Sequence, residues 1–281
     1  MKEIQMPEFG ALNAGDWDCL LSYDPSDYLS QIEESLRHGN RFFVDNRFNK
    51  LLYFYATDCK AVSESLYNVS KGSVMFRARI YHNSDAESRA KNAVEGQFNG
   101  YDFDGSYVST KNWGNQGRIN PDGITYLYLA STQDCAATEI SPVIGDWVSV
   151  AKIEFLECAR VFNLGKMVVS GIFEDQARSD WAMTVMAKLD DTFSRPYRSN
   201  GDYLLCQYVS EFLKNIGFDG IRFLSSKVLQ TFGSEDYVNY VIFNYEKCKP
   251  ISSDLLYIFD TKIRSLTYLQ KESMTYHGEV E

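Results

Sequence analysis

The segment Gly117-Arg118-Ile119-Asn120-Pro121-Asp122-Gly123-Ile124-Thr125-Tyr126-Leu127-Tyr128-Leu129-Ala130-Ser131-Thr132 carries several structural instructions in order, and it runs on through Cys135-Ala136-Ala137-Thr138 to Glu139. A glycine loop presents Arg118. Pro121-Asp122-Gly123 is a turn in which each residue lowers the cost of reversing the chain. Residues 124–130 are apolar and aromatic over a strand-sized length. Thr132 is a helix cap, predicting a short helix to about residue 140 with Glu139 near its end. The small residues 135–138 let that helix lie close against a sheet. A carboxylate on such a face is expensive to bury unless it is used or paired.

Working outward, Val74, Phe76, Ala78 and Ile80 alternate with Met75, Arg77, Arg79 and Tyr81. This predicts a strand with Arg77 and Arg79 on one face. Between it and Gly117 lies a long polar stretch with glycines at 96, 100, 105 and 114, a pattern associated with function when it interrupts a compact chain. Downstream, residues 147–155, 160–164, 221–224 and 237–245 read as strands, and 173–193 and 202–216 as helices. Upstream, Asp24-Pro25-Ser26 starts a helix that carries Tyr28, Ile32 and Leu36 at four-residue spacing. A second helix is predicted over about 48–66. The predicted organisation is a helical N-terminal region (1–72), a catalytic α+β domain (73–250) and a C-terminal extension (251–281).

Composition narrows the function. The 281 residues include 28 Lys or Arg and 38 Asp or Glu, a net charge of −10. Affinity for phosphate backbones comes from basic patches, so the balance argues against a nucleic-acid binder and against docking on anionic membrane. With 44% hydrophobic residues the chain has the material for a core. Its longest apolar runs fall far short of the roughly 18 residues of a membrane span. Residues 1–5 lack the apolar stretch of a signal peptide. Six scattered cysteines without a Cys-x-x-Cys pair predict reduced thiols in a cytosolic protein and no zinc site. Three histidines, His38, His82 and His277, do not supply a hydrolase triad or a metal-binding helix, and no Walker loop is present.

The Arg118–Glu139 segment resembles the signature of the RES domain family, named for Arg, Glu and Ser residues. In that family a Gly-Arg-x-Asn-x-x-Gly phrase precedes a Leu-Tyr-Leu-Ala strand and a small-residue helix ending in glutamate. Phe76-Arg77-Ala78-Arg79 matches the family's first strand. Gly217-Phe218-Asp219-Gly220-Ile221-Arg222-Phe223-Leu224-Ser225-Ser226 resembles its Asp-Gly-Ile…Ser-Ser phrase, leaving Ser225 and Ser226 as alternatives for the serine. Residues 239–244 resemble its closing strand.

The resemblance implies an ADP-ribosyltransferase-like fold, with a split, mixed β core and flanking helices. It implies cleavage of the nicotinamide–ribose bond of NAD⁺ by water or inorganic phosphate, with no further cofactor and no metal. It also implies a toxin held in check by an Xre-type antitoxin. On this reading Glu139, Arg77 and Ser225 are catalytic, and Arg118, Tyr128, Asn120, Arg79 and Ser226 bind substrate. Two alternatives use the same site: transfer of ADP-ribose to a macromolecule, and a non-catalytic module that binds NAD⁺.

Overall fold

The computed structural model describes residues 9–39, 44–57, 66–108, 117–164, 173, 175–195, 203–225, 227, 237–259, 266–269 and 273–276. Three helices come first: α1 (Ala14–Leu21), α2 (Pro25–His38) and α3 (Asn46–Thr57). α2 starts where its sequence predicts. The Asp24 carboxylate accepts from the Ser26 amide, Pro25 fills the first turn, and Arg37 and His38 close the helix near its negative end. Its buried stripe contains Tyr28, Leu29, Ile32 and Leu36. Leu66 does not end the second helix as predicted. It opens strand β1 (Leu66–Val69), which pairs antiparallel with β5 (Ala159–Asn163). The backbone partner lies about ninety residues away, so no local pattern announces it.

The architecture is α+β, as expected: an eight-stranded mixed sheet flanked by helices and preceded by the helical N-terminal region. The remaining strands are β2 (Val74–Ile80), β3 (Leu127–Ala130), β4 (Trp147–Phe155), β6 (Gly220–Leu224), β7 (Val238–Ile242) and β8 (Cys248–Tyr257), in the spatial order β1-β5-β6-β7-β3-β2-β4-β8. Among the described strands, β5 and β6 alone pair in parallel. Leu266–Leu269 and Ser273–Tyr276 form a separate two-stranded sheet.

The sheet is almost cut in two. β2 and β4 pair along all of β2, and β3 pairs with β7 over four residues. β2 and β3 meet at one registered pair, Phe76 with Ala130. β3 is also shorter than the predicted 124–130 strand, because the Ile124 carbonyl is taken by the Asn120 side chain at 2.8 Å.

One face of the five-strand half packs against α1, α2, α3, α7 (Gln176–Ser194) and α8 (Leu204–Asn215). Trp17, Phe48, Tyr55, Phe162, Val185, Leu213, Ile221 and Val241 share that core. The opposite face of the sheet builds a second core that joins both halves, with Leu127, Val161 and Ile242 from one and Ile153 and Phe155 of β4 from the other. α4 (Ala86–Lys91) and α5 (Phe103–Ser106) come from the glycine-rich stretch. Within it, residues 97–100 lie along β8, with Asn99 donating to the Ser253 carbonyl at 2.7 Å. Among the described residues no helix is long and apolar enough to cross a membrane.

Candidate active site

The split creates the cleft. Past the Phe76–Ala130 pair, β2 continues through Arg77 and Ala78 while β3 retraces through Leu129 and Tyr128, and the two strands no longer pair. A cavity of about 360 Å³ opens there, lined by these residues and by Arg118, Glu139 and Asn239 among others. Its size suits a small-molecule site.

Glu139 is delivered by α6 (Gln133–Glu139). Thr132 caps this helix by accepting from the Cys135 amide at 3.1 Å. Cys135, Ala136 and Ala137 are buried against Phe76, Ala78 and Ala130, so the small-residue run lies close against the sheet, as predicted, and it does so on both sides of the split. A carboxylate at a helix C-terminus faces like partial charge from the last carbonyls. The surroundings offset this. Ser225 Oγ donates to Glu139 Oε1 at 2.5 Å, and Asn239 Nδ2 donates to the same oxygen at 2.8 Å. Lys227 Nζ donates to the Glu139 main-chain carbonyl at 2.6 Å and to Ser141 Oγ at 2.5 Å. Ser141 has φ of 50°, a left-handed conformation uncommon for a residue with a Cβ. The chain therefore turns sharply after Glu139 and is held in that turn by a cation.

Both cleft arginines are anchored at one nitrogen by backbone carbonyls. Arg77 Nη1 donates to the carbonyls of Tyr107 (2.8 Å) and Ser106 (3.2 Å). Burial, with a smaller contribution from Arg79, pulls its guanidinium down to about 10, which leaves it cationic at neutral pH. Arg118 Nη1 donates to the Phe193 carbonyl at 2.6 Å, in the last turn of α7. Neither guanidinium has a carboxylate partner among the described residues. Two guanidinium forks in one cleft, neither of them paired with a carboxylate among the described residues, form an anion-binding arrangement.

The loop carrying Arg118 is built on close contacts. Tyr128 OH donates to Asn120 Oδ1 at 2.7 Å and accepts from the Ile119 amide at 3.3 Å. Burial pushes that hydroxyl up to about 12, while the residue as a whole stays 38% exposed: the hydroxyl is enclosed and part of the ring is open to the cleft. Gln207, buried on α8, donates to the Gly117 carbonyl at 3.0 Å.

Of the residues singled out by sequence, Glu139, Arg77, Arg118 and Tyr128 therefore line one cleft. Ser225 is buried behind Glu139 and spends its proton on it. Asn120 is buried and serves the loop, binding Tyr128 and the Ile124 carbonyl. Arg79 shares a strand face with Arg77 but reaches the Gly105 carbonyl at 2.7 Å and does not line the cavity. Ser226 lies outside the described residues. Sequence reading missed Asn239, Lys227 and Gln207. For two of them a signal existed: Asn239 is a lone amide in the apolar run Val238–Ile242, and Gln207 interrupts the apolar face of α8.

Fold and cleft define a class: an α+β protein whose divided sheet gathers one carboxylate and two guanidinium groups at the division. The RES domain model matches residues 79–260, and the chain belongs to the RES domain family. Arg77 stands just ahead of the matched segment. Among solved structures, the chain is similar to one in the crystal structure of the M. tuberculosis MbcT-MbcA toxin-antitoxin complex. That likeness has 15% identity and a TM-score of 0.40, covering 74% of this chain and 92% of that one. No curated protein matches.

Proposed function

We propose that this protein degrades NAD⁺ by cleaving the bond between nicotinamide and ribose. The observation that carries the reading is the convergence of Glu139, Arg77 and Arg118 on one cavity from three separate stretches of chain. Membership of the RES family supports it.

The chemistry fits a site with one carboxylate. Nicotinamide in NAD⁺ is already cationic at its ring nitrogen, so it departs with the C1′–N electron pair and needs no proton. The ribose left behind has oxocarbenium character. Glu139 accepts a hydrogen bond from a ribose hydroxyl and stabilises that developing positive charge. Arg77 and Arg118 grip the pyrophosphate with the nitrogens not spent on carbonyls. Tyr128 walls the nicotinamide with its open ring. Water attacking C1′ gives ADP-ribose and a released proton. Inorganic phosphate attacking the same carbon gives the phosphorylated sugar. Ser225 acts by holding Glu139. The toxin reading follows from the same activity: unregulated loss of NAD⁺ halts growth until an antitoxin covers the cleft.

The test is incubation of the purified chain with NAD⁺, with and without phosphate, followed by product analysis. Free nicotinamide with an unlabelled protein fraction is the expected result, and the second product identifies the acceptor. ADP-ribose appearing on macromolecules would establish transfer instead. Binding without nicotinamide release would establish a non-catalytic module. Expressed alone, the wild-type chain is expected to arrest cells that tolerate Glu139→Gln.

A further inference from the structure

Glu139 has two carboxylate oxygens with different surroundings. Oε1 receives both side-chain hydrogen bonds, from Ser225 and from Asn239. Oε2 receives none from the described residues. One oxygen is thus anchored and the other is free to meet a ligand in the cleft that Glu139 lines.

Asn239 is itself set in one orientation. It sits on β7 directly opposite Ala130 of β3 and Phe223 of β6, at the level of the split. Its amide lies between a carboxylate, which only accepts, and the Cys135 thiol, which donates to Asn239 Oδ1 at 3.8 Å. A flipped amide would set two acceptors against each other and two donors against each other, so the arrangement admits a single flip. Burial pushes the Cys135 thiol up to about 12, so it remains a donor throughout the physiological range. Cys135 and Glu139 stand one turn apart on α6. The amide therefore ties both to β7, and Ser225 ties Glu139 to the end of the neighbouring β6.

We propose that Asn239 is a positioning residue for the reaction: it fixes the Glu139 carboxylate so that Oε2 points at the ribose. This deepens the reading of an NAD⁺-cleaving site and rests on it. Because it acts through Glu139 and not on the pyrophosphate, its loss is expected in kcat and not in KM.

The experiment compares Asn239→Ala and Asn239→Asp with wild type by nicotinamide release and thermal melting. The Asp variant keeps the size of Asn but cannot donate when ionised, so shape alone does not rescue it. Both are expected to lower kcat by about 10- to 100-fold, with KM within about threefold, because a displaced reacting group costs rate and leaves the remote grip intact. A crystal structure of Asn239→Asp is expected to show the Glu139 side chain displaced. Wild-type kcat in the Asp variant, or a loss confined to KM, would overturn the role of Asn239 and leave the proposed reaction standing. Absence of nicotinamide release by the wild type would remove the reaction itself, and this inference with it.

Discussion

Gly117→Ala tests whether the loop beside the cleft is the rigid platform that aims Arg118. A Cβ at position 117 would stand 2.3 Å from Asn120 Oδ1 and 2.8 Å from Tyr128 OH, both closer than carbon–oxygen contacts allow. Either Asn120 swings away or the backbone retreats. If Asn120 moves, it gives up the Tyr128 hydroxyl at 2.7 Å and the Ile124 carbonyl at 2.8 Å. If the backbone moves, the Gln207 bond to the Gly117 carbonyl stretches. Two buried hydrogen bonds at roughly 1 kcal/mol each, with part of the desolvation cost of any group left unpaired, amount to about 2–3 kcal/mol. For a chain of this length that is a fall in Tm of about 4–10 °C. Arg118 follows in the chain, so affinity for NAD⁺ is expected to drop about tenfold, near 1.4 kcal/mol.

The assay is calorimetric titration with NAD⁺ in a Glu139→Gln background, so that the ligand survives, together with a thermal melt. Gly123→Ala is the control. Gly123 has φ of 80° with nothing within 4 Å of a Cβ, so its substitution carries only the left-handed penalty of about 1–2 kcal/mol and touches no part of the cleft. Both variants are expected to melt lower, and only Gly117→Ala to bind more weakly. Unchanged affinity in Gly117→Ala would refute the platform.

Glu139→Gln is expected to keep the fold, because an amide oxygen in the place of Oε1 still accepts from Ser225 and Asn239, while turnover falls at least about 100-fold with the lost charge; retention of a tenth of wild-type turnover would contradict the role given to the carboxylate. Asp190 on α7 has a buried Oδ1 without a hydrogen bond among the described residues, and burial, reinforced by Asp191 and only partly offset by the Leu224 backbone, pushes its carboxyl up to about 6. Its folded value lies above its unfolded one, so the destabilisation is present above pH 6 and disappears as pH falls toward 4. Asp190→Asn should therefore raise Tm at pH 8, by about 1 kcal/mol of stability after allowance for solvent screening, and by much less near pH 4; equal gains at both values would exclude this cause. Burial also pushes Cys135, Cys206 and Cys248 up to about 12, so alkylation at pH 8 should mark exposed Cys158 and spare those three until the chain unfolds. Rapid labelling of Cys135 would mean that α6 does not stay seated on the sheet.

What the sequence reveals follows from the range of the forces involved. Helix α2 is legible because its cap, its first-turn proline and its buried stripe are all local. β2 is legible from alternation, and α6 from Thr132 and the small residues before Glu139. β1 is not, because four residues acquire strand geometry only from a partner at 159–163. The fates of Arg77 and Arg79 separate for a similar reason. Both leave β2 on one face, yet the carbonyls that receive them belong to α5 and its flank, and only Arg77 lines the cavity. Asn120 has the residue type of a ligand-binding loop but is consumed by its own turn.

The position of the cleft has a cause that joins these elements. Antiparallel continuation of the Phe76–Ala130 pair would set Arg77 against Leu129 and Ala78 against Tyr128, zip the sheet shut and remove the cavity. Three contacts oppose it. Arg77 is drawn toward Ser106 and Tyr107, away from β3. Tyr128 is drawn toward Asn120 and the Ile119 amide. α6 packs on Phe76, Ala78 and Ala130 together and spans the division. Backbone groups at the mouth are left without ladder partners, an arrangement that water or a polar ligand satisfies and an apolar core would not tolerate. The residues that hold the strands apart are thus the same ones, or the immediate neighbours of those, that present charge to the space between them. A single geometric feature both opens the site and furnishes it.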